Sequence, residues 1–304
     1  MRLIIWIVTL CWASLAFAHS DANYVESDVF GKLGPQDKGV ILMVHFGTTY
    51  ADTREKTIEV INAKMKEAFP GLEIREAWTS RIILRKLKER GEERLNPTEA
   101  LIRLQKEGFT HVLVQSTNII EGTEMTELRR EIESLAPNFK DVRVGNPLLY
   151  SPEDYATVIQ AVTQAMEGIE KGSQKLLVGH GTVVPATASY AMFDYMLKAK
   201  GYSHYHVGTV EGYPTFEEAL NQLEAAKLPV VTLAPLMFVA GDHARNDIAG
   251  EWKEKLEEKG YEVNLYLKGL GENPVVQDLY IAHARFAAGH KAVSMAVKKR
   301  NYSK

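Results

Sequence analysis

The chain has 304 residues, with 36 Lys and Arg against 39 Asp and Glu and a formal net charge of −3 at pH 7. That near balance argues against nucleic acid or an anionic membrane surface as the main partner. A single cysteine, Cys11, excludes a disulfide framework, so the fold must rest on an apolar core, which a chain this long can bury.

The first predicted element is a targeting segment. Arg2 supplies a positive start, Leu3 to Leu15 an apolar run, and Ala16-Phe17-Ala18 a small-x-small cleavage site. The apolar run is shorter than the roughly 20 residues of a membrane span. A cleavable signal peptide over residues 1–18 is expected, giving a periplasmic protein that starts near His19 and carries no membrane span after cleavage. Cys11 leaves with it, so the mature chain has no thiol nucleophile. Residues 19–38 form a polar leader, expected to be loose.

Strands and helices then alternate. "GVILMVHF" predicts a buried strand, and "DTREKTIEVINAKMKEAF" predicts one helix with Ile58, Ile61, Met65 and Phe69 on its apolar face. "LEIREAWTS" follows as a strand, "RIILRKLKERG" as a helix closed by Gly91, and "NPTEALIRLQKEG" as a helix with Pro97 at its first position. "HVLVQSTNI" is a strand, "EMTELRREIESLA" a helix, and "VRVGNPLL" the last strand of the first set. The pattern repeats with "YATVIQAVTQAM" as helix and "KLLVGH" as strand. "ASYAMFDYMLKAKG" is a helix, "HYHVGTVEG" a strand and "TFEEALNQLEAA" a helix. "PVVTLAPLMFVAG" is a strand with its exit loop, "ARNDIAGEWKEKLEEKG" a helix and "YEVNLYLKG" a strand. A final helix is expected from about Val275 to Ala288, followed by a basic, frayed tail over 291–304.

Two successive sets predict an α/β protein of two similar lobes, each a mostly parallel sheet flanked by helices, with a cleft between them. The N-terminal lobe covers 39–150 and the C-terminal lobe 151–290. The lobes read as copies of each other. "HFGTTY" parallels "GHGTVV", which sets Phe46 opposite His180, and "TNIIEGTEM" parallels "LMFVAGDHA", which sets Gly122 opposite Gly241 and Glu124 opposite His243.

Three side chains with metal-ligating chemistry follow three strand-like runs of the second lobe: His180, Glu211 and His243. They are separated by 31 and 32 residues, one strand–helix unit each, so each leaves a different strand at the same sheet edge. Two imidazoles and a carboxylate suit a borderline divalent ion such as Co²⁺, Fe²⁺, Ni²⁺ or Zn²⁺, and three protein ligands leave coordination positions open for chemistry. Gly179, Gly181, Gly212 and Gly241 let a flat ligand approach the backbone. Glu124 joins the candidates through its match with His243. His45, His111, His204, His206, His283 and His290 are read as structural or surface residues. His204 and His206 share a strand face, which leaves a second metal site there as an alternative. No dinucleotide fingerprint, P-loop or nucleophile elbow is present, so no nucleotide is expected.

At these residues the chain resembles the anaerobic cobaltochelatases of the CbiK type, within the class II tetrapyrrole chelatases. The resemblance spans most of residues 39–285 and rests on "HFGTTYADTREKTIE", "AWTSRIILRKLK", "GHGT", "VGTVEGYPT", "PLMFVAGDHARNDIAGE" and "YLKGLGENP". It implies two α/β lobes with a macrocycle between them, a homo-oligomer, and insertion of a divalent metal into sirohydrochlorin without ATP. It places metal-binding histidines on His180 and His243, a glutamate ligand on Glu211 and a further acid on Glu124. Most members lack an export signal, which this chain departs from.

On that expectation the metal is a substrate: Co²⁺ first, with Fe²⁺ or Ni²⁺ also suited to the ligands. His180 is the candidate proton acceptor as well as a ligand. Phe46, Gly47 and Thr48 would form the facing wall, with Gly47 to Thr49 offering backbone N–H groups to a carboxylate. Arg54, Arg81, Arg85 and Lys86 are the candidate cations for the carboxylates of the macrocycle. The competing expectation is a periplasmic solute-binding protein that holds a metal or tetrapyrrole without turnover. A tetrapyrrole carrier derived from a chelatase is a third.

Overall fold

The computed structural model of the chain describes residues 23–302. The expected signal peptide lies outside the described residues. Among them, no helix is long and apolar enough to cross a membrane.

Two four-stranded parallel sheets carry the fold. The first contains β2 (Gly39–His45), β3 (Glu73–Trp78), β4 (His111–Ser116) and β5 (Asp141–Val144), in the order β3-β2-β4-β5. The second contains β6 (Gln174–Gly181), β7 (Tyr205–Glu211), β8 (Val230–Pro235) and β9 (Glu262–Leu265), in the order β7-β6-β8-β9. The two orders are the same, as a duplication requires. The helices between them are α1 (Ala51–Lys56), α2 (Ile58–Ala68), α3 (Arg81–Glu89), α4 (Pro97–Lys106) and α5 (Thr123–Leu135) in the first half. α6 (Pro152–Ala165), α7 (Ala188–Ala199), α8 (Phe216–Ala226), α9 (Lys253–Glu258) and α10 (Pro274–Gly289) follow in the second.

The central strands are apolar on both faces because both faces are covered, as parallel sheets with helical crossovers demand. In β2, Ile41 and Met43 enter a core that runs continuously between the two sheets, while Val40, Leu42 and Val44 enter a separate core behind the first sheet. In β6, Leu177 joins the shared core and Leu176 and Val178 face a third core behind the second sheet. Each of these fully buried side chains contributes on the order of 1.5–3 kcal/mol by leaving water.

Local chemistry explains the helix boundaries. Asn96 and Glu99 form a capping box for α4, with Pro97 in the first turn, and Ser151 and Asp154 do the same for α6 with Pro152. The single helix expected over 52–69 is instead broken at Thr57, whose backbone leaves helical geometry (φ −125°, ψ −74°). The buried Thr57 hydroxyl donates to the Thr53 carbonyl at 2.6 Å, a local bond that competes with helix continuity. The helix expected after His243 begins as a π-helix, Ala244–Trp252, before continuing as α9.

The final helix departs from the simple two-lobe layout. α10 leaves the second lobe and packs against β4, β5, α2 and α6. Buried Tyr280 donates its hydroxyl to the carbonyls of Thr117 (2.9 Å) and Asn118 (3.1 Å), in the loop that leaves β4. The first and last strands of the described residues are also tied together. β1 (Tyr24–Glu26) pairs antiparallel with β10 (His290–Ala292), Val29 of the polar leader is buried, and α11 (Met295–Tyr302) forms within the basic tail.

Candidate active site

The carboxyl ends of both sheets open onto one cavity of about 390 Å³, walled from the first lobe by Phe46, Gly47, Thr48 and Glu124 and from the second by His180, Thr182 and His243. Its shape follows from two matching turns. Gly47 and Gly181 both have positive φ, 98° and 87°. A Cβ at Gly47 would stand 2.3 Å from the Trp78 ring, and one at Gly181 would stand 1.5 Å from the Glu211 carbonyl oxygen. Only glycine makes these turns, and each turn delivers the residue before it, Phe46 or His180, to the cavity.

The lobes interlock by the same symmetry. The ideal Cβ position of Gly241 lies 3.4 Å from Thr48 Oγ1, and that of Gly122 lies 3.9 Å from Thr182 Cβ. Thr123 and Thr182 hydroxyls meet at 3.2 Å across one side of the cleft. On the other side Lys86 pairs with Asp242 at 3.3 Å and Arg245 with Asp52 at 3.0 Å, and the Arg245 guanidinium lies 3.9 Å over the Tyr50 ring.

His180 and His243 come together. Their ring centroids are 4.6 Å apart with planes inclined at 77°. His180 Nδ1 lies 3.1 Å from the Gly181 carbonyl oxygen, and His243 Nδ1 lies 2.5 Å from Asp247 Oδ2. A carbonyl and a carboxylate can only accept, so each Nδ1 is the N–H that donates. In the neutral ring Nε2 is then the nitrogen with the free lone pair, the form in which imidazole binds a metal or takes up a proton. Nearby Tyr190 is buried, and burial, with Glu124 adding to it, pushes its hydroxyl up to about 12, so it stays neutral. Burial works against the Asp242 carboxylate, yet hydrogen bonds from Tyr50 and Lys86 hold it below the ordinary carboxylate range.

Glu211 stands apart. The register pairs it with Gly181 rather than His180, its side chain is exposed, and it is not part of the cavity wall. Among the described residues no group of three or more His, Cys, Asp and Glu lies close enough to hold a metal ion. The structure therefore brings together the imidazole pair and Glu124 around one cavity and leaves Glu211 on the neighbouring strand end.

The candidate cations also separate. Arg54 is tied to Glu59 and Glu92, away from the cavity. Arg81 and Arg85 are exposed on α3 and do not line it, whereas Lys86 of the same helix does. Asp247, Asp242 and Tyr190 were not anticipated. The first could have been found from its spacing, four residues beyond His243 on a helical pattern. Two other histidines have structural roles: His45 bonds Thr117 and Asn62, and burial lowers it to about 4. His206 uses both ring nitrogens on Gln222 and Gln174, so "HYH" offers no pair of free imidazoles.

The molecule is a two-lobed α/β protein with a pair of imidazoles at the sheet edges and room for a ligand between the lobes. Residues 39–288 match the cobalt chelatase (CbiK) family, and the chain belongs to that family. It is 37% identical over 267 residues to the sirohydrochlorin cobaltochelatase of Salmonella typhimurium, covering 86% of this chain and 99% of that one. It is 31% identical over 256 residues to the sirohydrochlorin cobaltochelatase CbiKC of Nitratidesulfovibrio vulgaris, covering 82% and 90%. Among solved structures, SirB from Bacillus subtilis with Fe³⁺ superposes with a TM-score of 0.59 at 16% identity, over 83% of this chain and 96% of that one. CbiX, described as the terminal enzyme of siroheme biosynthesis in denitrifying bacteria, superposes with a TM-score of 0.53 at 19% identity, over 82% and 99%. These structural likenesses show the shared fold.

Proposed function

We propose that this chain is a sirohydrochlorin cobaltochelatase, inserting Co²⁺ into sirohydrochlorin without a nucleotide. The observation that carries this is the His180–His243 pair in the cleft, with each Nδ1 engaged by an acceptor so that Nε2 is the nitrogen left for a metal. Family membership and the names of the curated relatives support it. The same nitrogen donors suit Fe²⁺ and Ni²⁺.

The chemistry exchanges two pyrrole N–H protons for one divalent ion. His180 and His243 hold Co²⁺ at the macrocycle face. As the ion passes to the ring nitrogens, His180 Nε2 regains its lone pair and accepts one proton, and the Glu124 carboxylate on the facing lobe accepts the other. Phe46, with Gly47 and Thr48, forms the opposing wall. Glu211, beside Gly181 at the strand end, is the third ligand in this scheme on the strength of the family resemblance.

Anaerobic incubation of the purified protein with sirohydrochlorin and Co²⁺, followed by absorbance, tests the activity. Many equivalents of product per chain are expected. Conversion that stops at one equivalent would make the protein a binder. Arg2, the apolar run and Ala16-Phe17-Ala18 support export with cleavage after Ala18, and the resemblance supports a homo-oligomer. Mass spectrometry of the protein from its native host is expected to find an N-terminus at His19, and an intact Met1 on cytosolic material would end the export proposal.

A further inference from the structure

We propose that Lys86 is a specificity-determining residue: its ammonium receives one peripheral carboxylate of the tetrapyrrole, and Asp242 holds that ammonium when no substrate is bound. The inference rests on the proposed chelatase function and names a contact within it.

Among the described residues, Lys86 is the one Lys or Arg in the cavity wall. A carboxylate-rich ligand with its ring in this cavity therefore meets one cation inside it, while Arg81 and Arg85 stand outside on the same helix. Lys86 leaves α3 beside Ile82 and Ile83, which also line the cavity, and crosses to the other lobe to meet Asp242 at 3.3 Å. Asp242 directly precedes His243, so the ammonium is parked at the edge of the imidazole pair.

Two features make the pair exchangeable. The side chains are 44% and 38% exposed, so the contact is solvent-screened and weakly held. Asp242 also takes a hydrogen bond from Tyr50, so it keeps a partner when Lys86 turns to a ligand. A lysine on its flexible stem suits such a move between two carboxylates better than a rigid guanidinium. The incoming carboxylate replaces Asp242 on the ammonium, and no charge is left buried and unpaired.

The test measures anaerobic binding of metal-free sirohydrochlorin by fluorescence titration at two salt concentrations, together with KM and kcat for Co²⁺ insertion. It uses wild type, Lys86→Met, Lys86→Arg, Asp242→Asn and the Lys86→Met/Asp242→Asn pair. Loss of one charge-assisted bond should weaken sirohydrochlorin binding by about tenfold or more in Lys86→Met, with KM rising more than kcat falls. The salt dependence of binding should flatten in the same variant. Lys86→Arg should keep binding within about threefold, because the charge remains. Asp242→Asn should tighten binding when Lys86 is present and not when it is Met, since only then is a competitor removed.

Lys86→Met binding within about twofold of wild type would overturn the proposal. So would an equal, salt-independent loss in Lys86→Arg, which would mark a packing role. A wild type that binds sirohydrochlorin but never inserts Co²⁺ would instead refute the chelatase function and leave the Lys86 contact standing.

Discussion

Replacing Asp247 by Asn removes one negative charge and leaves the side-chain volume almost unchanged. In the structure the Asp247 carboxylate lies 2.5 Å from His243 Nδ1, and the two side chains are 28% and 38% exposed. The carboxylate fixes the tautomer in which Nδ1 carries a proton, which leaves Nε2 as the nitrogen for a metal. Asn can accept that same proton only as a neutral amide, or it can turn its NH₂ toward Nδ1 and force the proton onto Nε2. Either outcome weakens the metal-binding nitrogen. Changes to such outer partners typically cost about 10–100-fold in metal affinity. Asp247 is part-exposed and its replacement keeps the side-chain volume, so the fold should survive. Calorimetric Co²⁺ titration of wild type and Asp247→Asn, with circular dichroism as control, is the assay. An affinity for Co²⁺ unchanged in the folded variant would refute the claim that His243 binds through Nε2 under the control of Asp247.

Phe46→Ala should act through the wall facing the imidazoles, raising KM for sirohydrochlorin more than it lowers kcat; a larger fall in kcat than rise in KM would place Phe46 in the chemistry. Glu211→Gln should weaken Co²⁺ binding without unfolding, and an unchanged calorimetric isotherm would remove Glu211 from the metal path. Burial lowers both His45 and His206 to about 4, against an unfolded value near 6.5. Between those values the unfolded chain binds more protons than the folded one, so stability is expected to fall as pH drops from about 6.5 toward 4. The melting temperature over that range should fall less steeply in His206→Gln, and parallel curves for the two proteins would contradict this.

The central strands were legible because a strand covered on both faces must be apolar throughout, and "GVILMVHF" and "KLLVGH" became β2 and β6. The duplication was legible in "HFGT" and "GHGT", since the turn geometry of Gly47 and Gly181 tolerates no other residue. Register was not legible. Spacing placed Glu211 at the same edge as His180, but pairing with Gly181 carries its side chain out of the cavity wall. The landing of α10 on the first sheet depends on long-range contacts such as Tyr280 with Thr117, which no local period encodes. Charge alone could not rank Arg54, Arg81, Arg85 and Lys86, because the ion pairs that occupy Arg54 and the outward positions of Arg81 and Arg85 exist only in the folded chain.

His180 stands where the first lobe has Phe46, and the proposed chemistry depends on that difference. The most direct measurement is the rate of Co²⁺ insertion into sirohydrochlorin by folded His180→Ala beside wild type, under anaerobic steady-state conditions. Loss of a proton acceptor costs on the order of 10²–10⁴ in rate, and loss of a metal-binding nitrogen should add to it, so His180→Ala is expected to fall at least that far. A folded His180→Ala that inserts Co²⁺ at near wild-type rate would reduce the Gly179-to-Thr182 segment to a tight turn and contradict the assignment of the chemistry to the second lobe.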